Sequence, residues 1–317
     1  MIAGCGSSGP RLTLASYDAS RELFREVNRR FSAWHDLHRG TPVRVFPSHG
    51  GSGKQAMAVL NGLPADVVSL ALWSDIDVLR KDDLIDAGWE KRFPNRSLPF
   101  TSAIVFVVRK GNPHGITDWA DLVSKPGVKI ITASPKTGGA AKLSFLAAWG
   151  SVTAAGGSDA DAEAYVRELF RRVPVLESGS RAATNTFARK LIGDVNLTWE
   201  NEAWLEMREF GDRLEIVCPK RTMRGEPHVA VVDAVVRRNG TAELAEAYVN
   251  FLYEDDVQEV IAQNYYRPTT PAVFARHADR FGASTLFGVT DVVAGGWDEA
   301  QKKFFADGGA FDRVYAS

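Results

Sequence analysis

The stretch SHGGSGKQA, residues 48–56, follows the apolar residues Val43, Val45 and Phe46 and leads into a helix-like segment, the setting of a phosphate-binding loop. A P-loop requires an opening glycine and a Ser or Thr after Gly-Lys, because backbone N–H groups cradle phosphate while the hydroxyl holds magnesium. Here Ser48 takes the place of the opening glycine and Gln55 follows Gly53-Lys54, so the nucleotide reading fails at both ends. A glycine-rich turn entering a helix still presents unpaired N–H groups and the positive end of the helix dipole, a general anion site. "PKTGGA" at 135–140 and "GSR" at 179–181 repeat the device. Covalent chemistry finds little support. The histidines, at 35, 38, 49, 114, 228 and 277, include no H-E-x-x-H pair, and "SGSR" at 178–181 is not a G-x-S-x-G nucleophile elbow. His49 reads as a turn histidine bonded to the local backbone. Lys54, Lys136, Lys142 and Arg181, at or beside the turns, read as solvated charge or partners of nearby carboxylates. Trp199, just before Glu200, Asn201 and Glu202, reads equally as a core aromatic or as an indole donor, a group with no proton to lose at neutral pH.

Positioning such turns requires strands that end where helices begin. "RLTLASY" reads as a strand and is followed by a helix whose Leu23, Val27, Phe31 and Trp34 share a face. "VRVFP" leads through "SHGGSG" into a helix that stops at Asn61-Gly62. "VKIITAS" leads through "PKTGGA" into "AKLSFLAAW", and "VPVLES" through "GSR" into "AATNTFARKLIG". Strand–turn–helix units in series predict an α/β fold with mainly parallel sheets, in which ligands sit at the carboxyl ends of strands. The runs at 100–113 and 228–236 read as strands that either cross between two lobes or add to one sheet. Residues 242–263 read as one long amphipathic helix, and the closing "GGWDEAQKKFFADGGAFDRV" as a shorter helical segment.

A chain of 317 residues fits two compact lobes or one large α/β unit. Its 45% apolar and 24% charged content is that of a globular protein, and a formal charge of −1 gives no global attraction for nucleic acid. Any anion must be held by local geometry. Two cysteines imply no disulfide framework, and Cys218 in "LEIVCP" reads as a buried, inert thiol. Cys5 in "MIAGCGSSGP" resembles the lipidated cysteine that ends a bacterial lipoprotein signal, with residues 1–10 as a tether; a chance cysteine is the alternative.

The ordered blocks "SYDASREL", "SHGGSGKQA", "ADVVSLAL", "AIVFVVRKGNP", "ITASPKTGGAAKLSFLAAWG", "ESGSRAATNTF", "IGDVNLTWENEA", "NYYRP" and "GGWDEAQKKFFADGGAFD" resemble the periplasmic sulfate-binding protein family, receptors of sulfate/thiosulfate ABC importers. The resemblance runs from about Leu12 to the C-terminus. It implies a type II periplasmic-binding-protein fold, two α/β lobes closing over a dehydrated oxyanion. Neither catalysis, cofactor nor metal is implied. It also implies an extracytoplasmic monomer that docks on a membrane permease; the lipoprotein-like start, separately, implies that the protein is held to the membrane through Cys5. The lobes are expected at 11–102 with 226–275, and at 103–225 with 276–317. The ligand set implied is the N–H of Asp18, the hydroxyl of Ser52, the N–H groups of Gly139, Ala140 and Ser180, and the indole of Trp199. Gly138 stands where the family usually has serine, so one hydroxyl is lost unless Thr137 turns inward. A site made of donors favours sulfate, which carries no proton at neutral pH, over hydrogenphosphate, which must donate one. Thiosulfate, molybdate or phosphate as ligand, an anion sensor, and an enzyme acting on a phosphorylated or sulfated metabolite are the competing readings.

Overall fold

The computed structural model describes residues 9–315, so Cys5 and the tether before Gly9 lie outside the described residues. Its strands are β1 (Arg11–Tyr17), β2 (Arg44–Gly50), β3 (Val67–Leu70), β4 (Phe100–Arg109), β5 (Ile130–Ala133), β6 (Leu176–Glu177), β7 (Val195–Trp199), β8 (Leu214–Val217), β9 (Arg221–Gly225), β10 (His228–Val231), β11 (Arg267–Pro268) and β12 (Thr285–Phe287). They form two sheets. In the first, ordered β10-β3-β1-β2, β1 runs parallel to both neighbours and β10 is antiparallel. The helix Arg21–Arg39 buries Leu23, Val27 and Phe31, with Trp34 packed at the margin, as the shared face predicts.

The second sheet is ordered β12-β9-β4-β7-β5-β6, with β8 and β11 also paired to β4. It is mixed rather than mainly parallel. β5 is parallel to β6 and β7, but β4 is antiparallel to β7, β8 and β9. Covered on both faces, β4 reads as an unbroken apolar run because burial removes the polar half of the alternation. The chain passes between the sheets three times: from β3 to β4, from β9 to β10 at Gly225–His228, and from β10 to β11. The C-terminal segment returns to the second sheet, where β12 pairs with β9 and the helix Ala310–Tyr315 packs against the helix Asp159–Arg171.

Two long segments divide more finely than their patterns predict. The run 228–236 is strand only to Val231; a helix follows over Asp233–Asn239, closed by Gly240 in the left-handed region. Residues 242–263 form two helices, Ala242–Phe251 and Asp255–Gln263. Glu254 is extended there, and Asp255 and Asp256 in the next first turn suit the new dipole better than a helix interior.

Candidate functional site

Several strand ends meet at one place. β1 gives way to the short turn Asp18–Ser20, β2 to a helix starting at Ser52, β5 to one starting at Gly139, β6 to one at Ser180, and β7 to one at Glu200. Between them lies a cavity of about 200 Å³, lined by Tyr17, Asp18, Gly51, Ser52, Lys54, Ala71, residues 137–140 and 178–182, and Trp199. All eight residues singled out in the sequence line this cavity. A larger cavity of about 650 Å³, lined by Trp73, Arg96, Arg224 and Trp297 among others, holds none of those eight residues.

The donors differ in what they have free. Helix geometry leaves the first-turn N–H groups of Gly139, Ala140 and Ser180 without intrahelical acceptors. The Trp199 indole is 1% exposed, and its N–H pairs with no protein acceptor among the described residues, so Trp199 is both core aromatic and cavity wall. Gly139 has to be glycine, since a Cβ there stands 2.9 Å from Ala71 Cβ.

Thr137 and Gly138 line the cavity without offering donors to it. The Thr137 hydroxyl donates to the Ser134 and Ser178 carbonyls at 3.3 and 3.0 Å, and the Gly138 N–H donates to Ser134 O at 2.9 Å. The compensation expected from Thr137 is therefore absent, because two carbonyls already hold its proton. Ser52 Oγ accepts the Ala71 N–H at 2.9 Å and donates to Asp75 Oδ2 at 2.5 Å, so the hydroxyl expected to serve the ligand is already engaged, and what Ser52 has free is its N–H, the first of its helix. Asp18 keeps one carboxylate oxygen on the Ala19 N–H at 3.1 Å; burial raises its carboxyl above the usual range despite that bond and Arg181 nearby.

A buried polar frame holds these parts. Tyr266 OH donates to the Ala19 carbonyl at 2.8 Å and accepts from Asn201 Nδ2 at 2.9 Å, fixing the turn after β1 to the helix after β7. Arg181 bonds Glu22 at 2.8 Å and Glu202 at 3.0 Å, spanning helices that pack on different sheets. Lys136 pairs with Asp312 and Lys142 with the Gln301 amide oxygen, so these cations are paired rather than solvated. Glu200 is bound by Arg267 at 2.7 and 2.8 Å. Burial pushes Glu206 up to about 7, although Thr184 and Asn196 donate to it.

Two single-residue expectations change. His49 lies in β2, and its Nδ1 meets the Ser16 hydroxyl at 2.7 Å instead of local backbone, because the turn begins only after Gly50. Cys218 is half-buried, and burial raises its thiol to about 11, which keeps it protonated and inert at neutral pH. Among the described residues no helix is long and apolar enough to cross a membrane.

Two α/β sheets with helix starts converging on one small cavity define the class: a two-lobed binding protein for a compact anion, of type II fold. Residues 12–267 match the family described as bacterial extracellular solute-binding protein. The sulfate-binding protein of Escherichia coli is 48% identical over 306 residues, covering 96% of this chain and 92% of that one. The thiosulfate-binding protein of Pseudomonas aeruginosa is 44% identical, covering 99% and 95%. The solved sulfate-binding protein SubI from Mycobacterium tuberculosis superposes with a TM-score of 0.83 at 33% identity, covering 93% of this chain and 99% of that one. The chain belongs to the sulfate-binding protein family of bacterial extracellular solute-binding proteins.

Proposed function

We propose that this protein is the extracytoplasmic receptor of a sulfate/thiosulfate ABC importer, holding its oxyanion in the cavity between the two sheets. One observation carries the reading: helix starts that follow strands of both sheets, together with Trp199, line a single cavity of about 200 Å³. The donors are the N–H groups of Asp18, Ser52, Gly139, Ala140 and Ser180 and the Trp199 indole. Helix dipoles add a positive field, roughly 0.3–1 kcal/mol each and up to about 2 when partly buried. The lobes divide as 11–102 with 226–275 and 103–225 with 276–317; the pairing of β12 with β9 supports giving the tail to the second. Closure over the anion creates the form that docks on the permease. The receptor acts as a monomer, tethered through Cys5.

Isothermal titration of extensively dialysed protein with sulfate, thiosulfate, molybdate and phosphate tests the reading. Micromolar or tighter binding of sulfate or thiosulfate, with phosphate silent, is the expected result. Phosphate or molybdate bound best sinks it.

Gly138 offers a second test. Its backbone is extended, at φ −118° and ψ 129°, and an added Cβ meets only ordinary contacts, each at 3.6 Å, with Ala133, Ser134 O and Ala141. Nothing local requires glycine. Gly138→Ser therefore fits without strain and supplies a hydroxyl, which tightens sulfate binding roughly tenfold, since hydrogen bonds to a charged group contribute about 1.5–3 kcal/mol. Equal or weaker affinity by calorimetry removes the idea that this position limits binding.

A further inference from the structure

We infer that the amino-terminal edge of the first sheet, centred on Arg11, Arg44 and Phe46, is a contact surface for an anionic phospholipid bilayer. It rests on the receptor reading above only for a membrane nearby, and not on what the cavity binds.

The observation is a pair of like charges set side by side. Residues in register on neighbouring strands sit about 5 Å apart on one face of the sheet, and Arg11 of β1 is in register with Arg44 of β2. Like charges directly opposite each other destabilise a sheet. Both residues are exposed, and neither guanidinium has a carboxylate or any other hydrogen-bond acceptor among the described residues. Arg11 lies instead over the ring of Phe46, its Cζ 5.9 Å from the centroid. Phe46 is two residues on from Arg44, hence on the same face, and is 46% exposed. β2 is the last strand of its sheet, so Arg44 and Pro47 suit an unpaired edge, but edge protection gives no reason for an exposed phenylalanine beside them. Arginines around an aromatic ring do suit an anionic interface, where guanidinium groups bind headgroup phosphates and the ring settles at headgroup level.

The place of the patch in the chain supports the same partner. The described residues begin at Gly9, and the Arg44 N–H bonds the Pro10 carbonyl at 2.9 Å, so residues 1–8 join the protein here. Those residues include no carboxylate. Arg11 is six residues on from Cys5, a reach of about 20 Å at full extension, so an anchor on Cys5 keeps the patch close to headgroups. The helix Arg21–Arg39, which hands the chain to β2, ends in Leu37, 82% exposed, and in Arg39, against one carboxylate, Asp36. β1 runs from the patch to the cavity: Arg11 opens the strand, and Tyr17, which lines the cavity, closes it about 20 Å away. A receptor resting on this edge keeps its cleft away from the bilayer and open to the medium.

The test is co-sedimentation of the full, unacylated chain with phosphatidylglycerol vesicles and with phosphatidylcholine vesicles at low ionic strength. Binding to the first alone, lost as salt rises, is the expected result. Arg11→Glu with Arg44→Glu weakens it on the order of tenfold or more, and Phe46→Ser weakens it severalfold. Lys190→Glu with Lys220→Glu, the same charge change at exposed sites of the second lobe, leaves it within about twofold. Arg44→Gln binds the vesicles less while its melting temperature holds or rises, since a repulsion is removed; a merely structural residue would lose stability instead. Sulfate titration of each variant matches wild type. Equal losses from the two double variants mean that net charge alone is at work and overturn the inference, as does equal binding to both vesicles or binding to neither. Dimers formed without lipid and dissolved by the Arg11 and Arg44 changes overturn it in favour of a second copy on β2. Vesicle binding by a protein that takes up no oxyanion overturns the receptor reading and leaves this surface standing.

Discussion

Replacing Trp199 with phenylalanine weakens sulfate binding roughly ten- to hundredfold, the loss of one hydrogen bond to a charged group. The indole N–H has no protein acceptor among the described residues, so its removal strands no buried partner. Phenylalanine keeps most of the ring contact with Tyr17, whose centroid lies 5.9 Å away. The expected signature is therefore an affinity change with a small change in melting temperature. Calorimetry and thermal melting of the same preparation check it, and unchanged affinity would remove Trp199 from the ligand set.

Gly225→Ala moves the same indole from behind. A Cβ at Gly225 stands 2.0 Å from Trp199 Cζ3 and 2.9 Å from Cη2, closer than atoms can approach, and both residues belong to rigid strands. Overpacking of this kind costs typically 1–3 kcal/mol of stability, and the displaced N–H points away from its ligand. Stability and affinity should fall together, unlike the phenylalanine variant. A fold of wild-type stability that binds normally would mean that the β9–β10 passage yields more easily than its packing implies.

The anion chemistry was legible because it is local. A glycine-rich turn before a helix looks the same in one dimension as in three, so the helix starts at 48–53, 135–140 and 179–181 could be marked from short stretches, while the choice of Ser52, Gly139, Ala140 and Ser180 as donors came with the family resemblance. The α/β class followed for the same reason, since period and turn composition are sequence properties. What escaped depended on which element meets which. Asp75 sits in "ALWSDID", where nothing marks it, and it matters only because Ala71 and Ser52 come together from different elements. Thr137 was ambiguous until two carbonyls from separate turns claimed its hydroxyl. The mixed second sheet was hidden because a strand buried on both faces carries no sign of its partners' direction. The division of 242–263 lay in Glu254, Asp255 and Asp256, a helix-start signal outweighed by the apolar stripe around it.

The three passages of chain between the sheets have a mechanical consequence. One covalent link would let two bodies swivel about any axis, and each further link removes freedom to twist while still allowing a bend across all of them. Three links leave the halves close to a single degree of freedom, as the spine of a book does its covers. A closure of the proposed kind would then return the same backbone groups to the same places each time, with their orientation set by the chain path before any anion arrives.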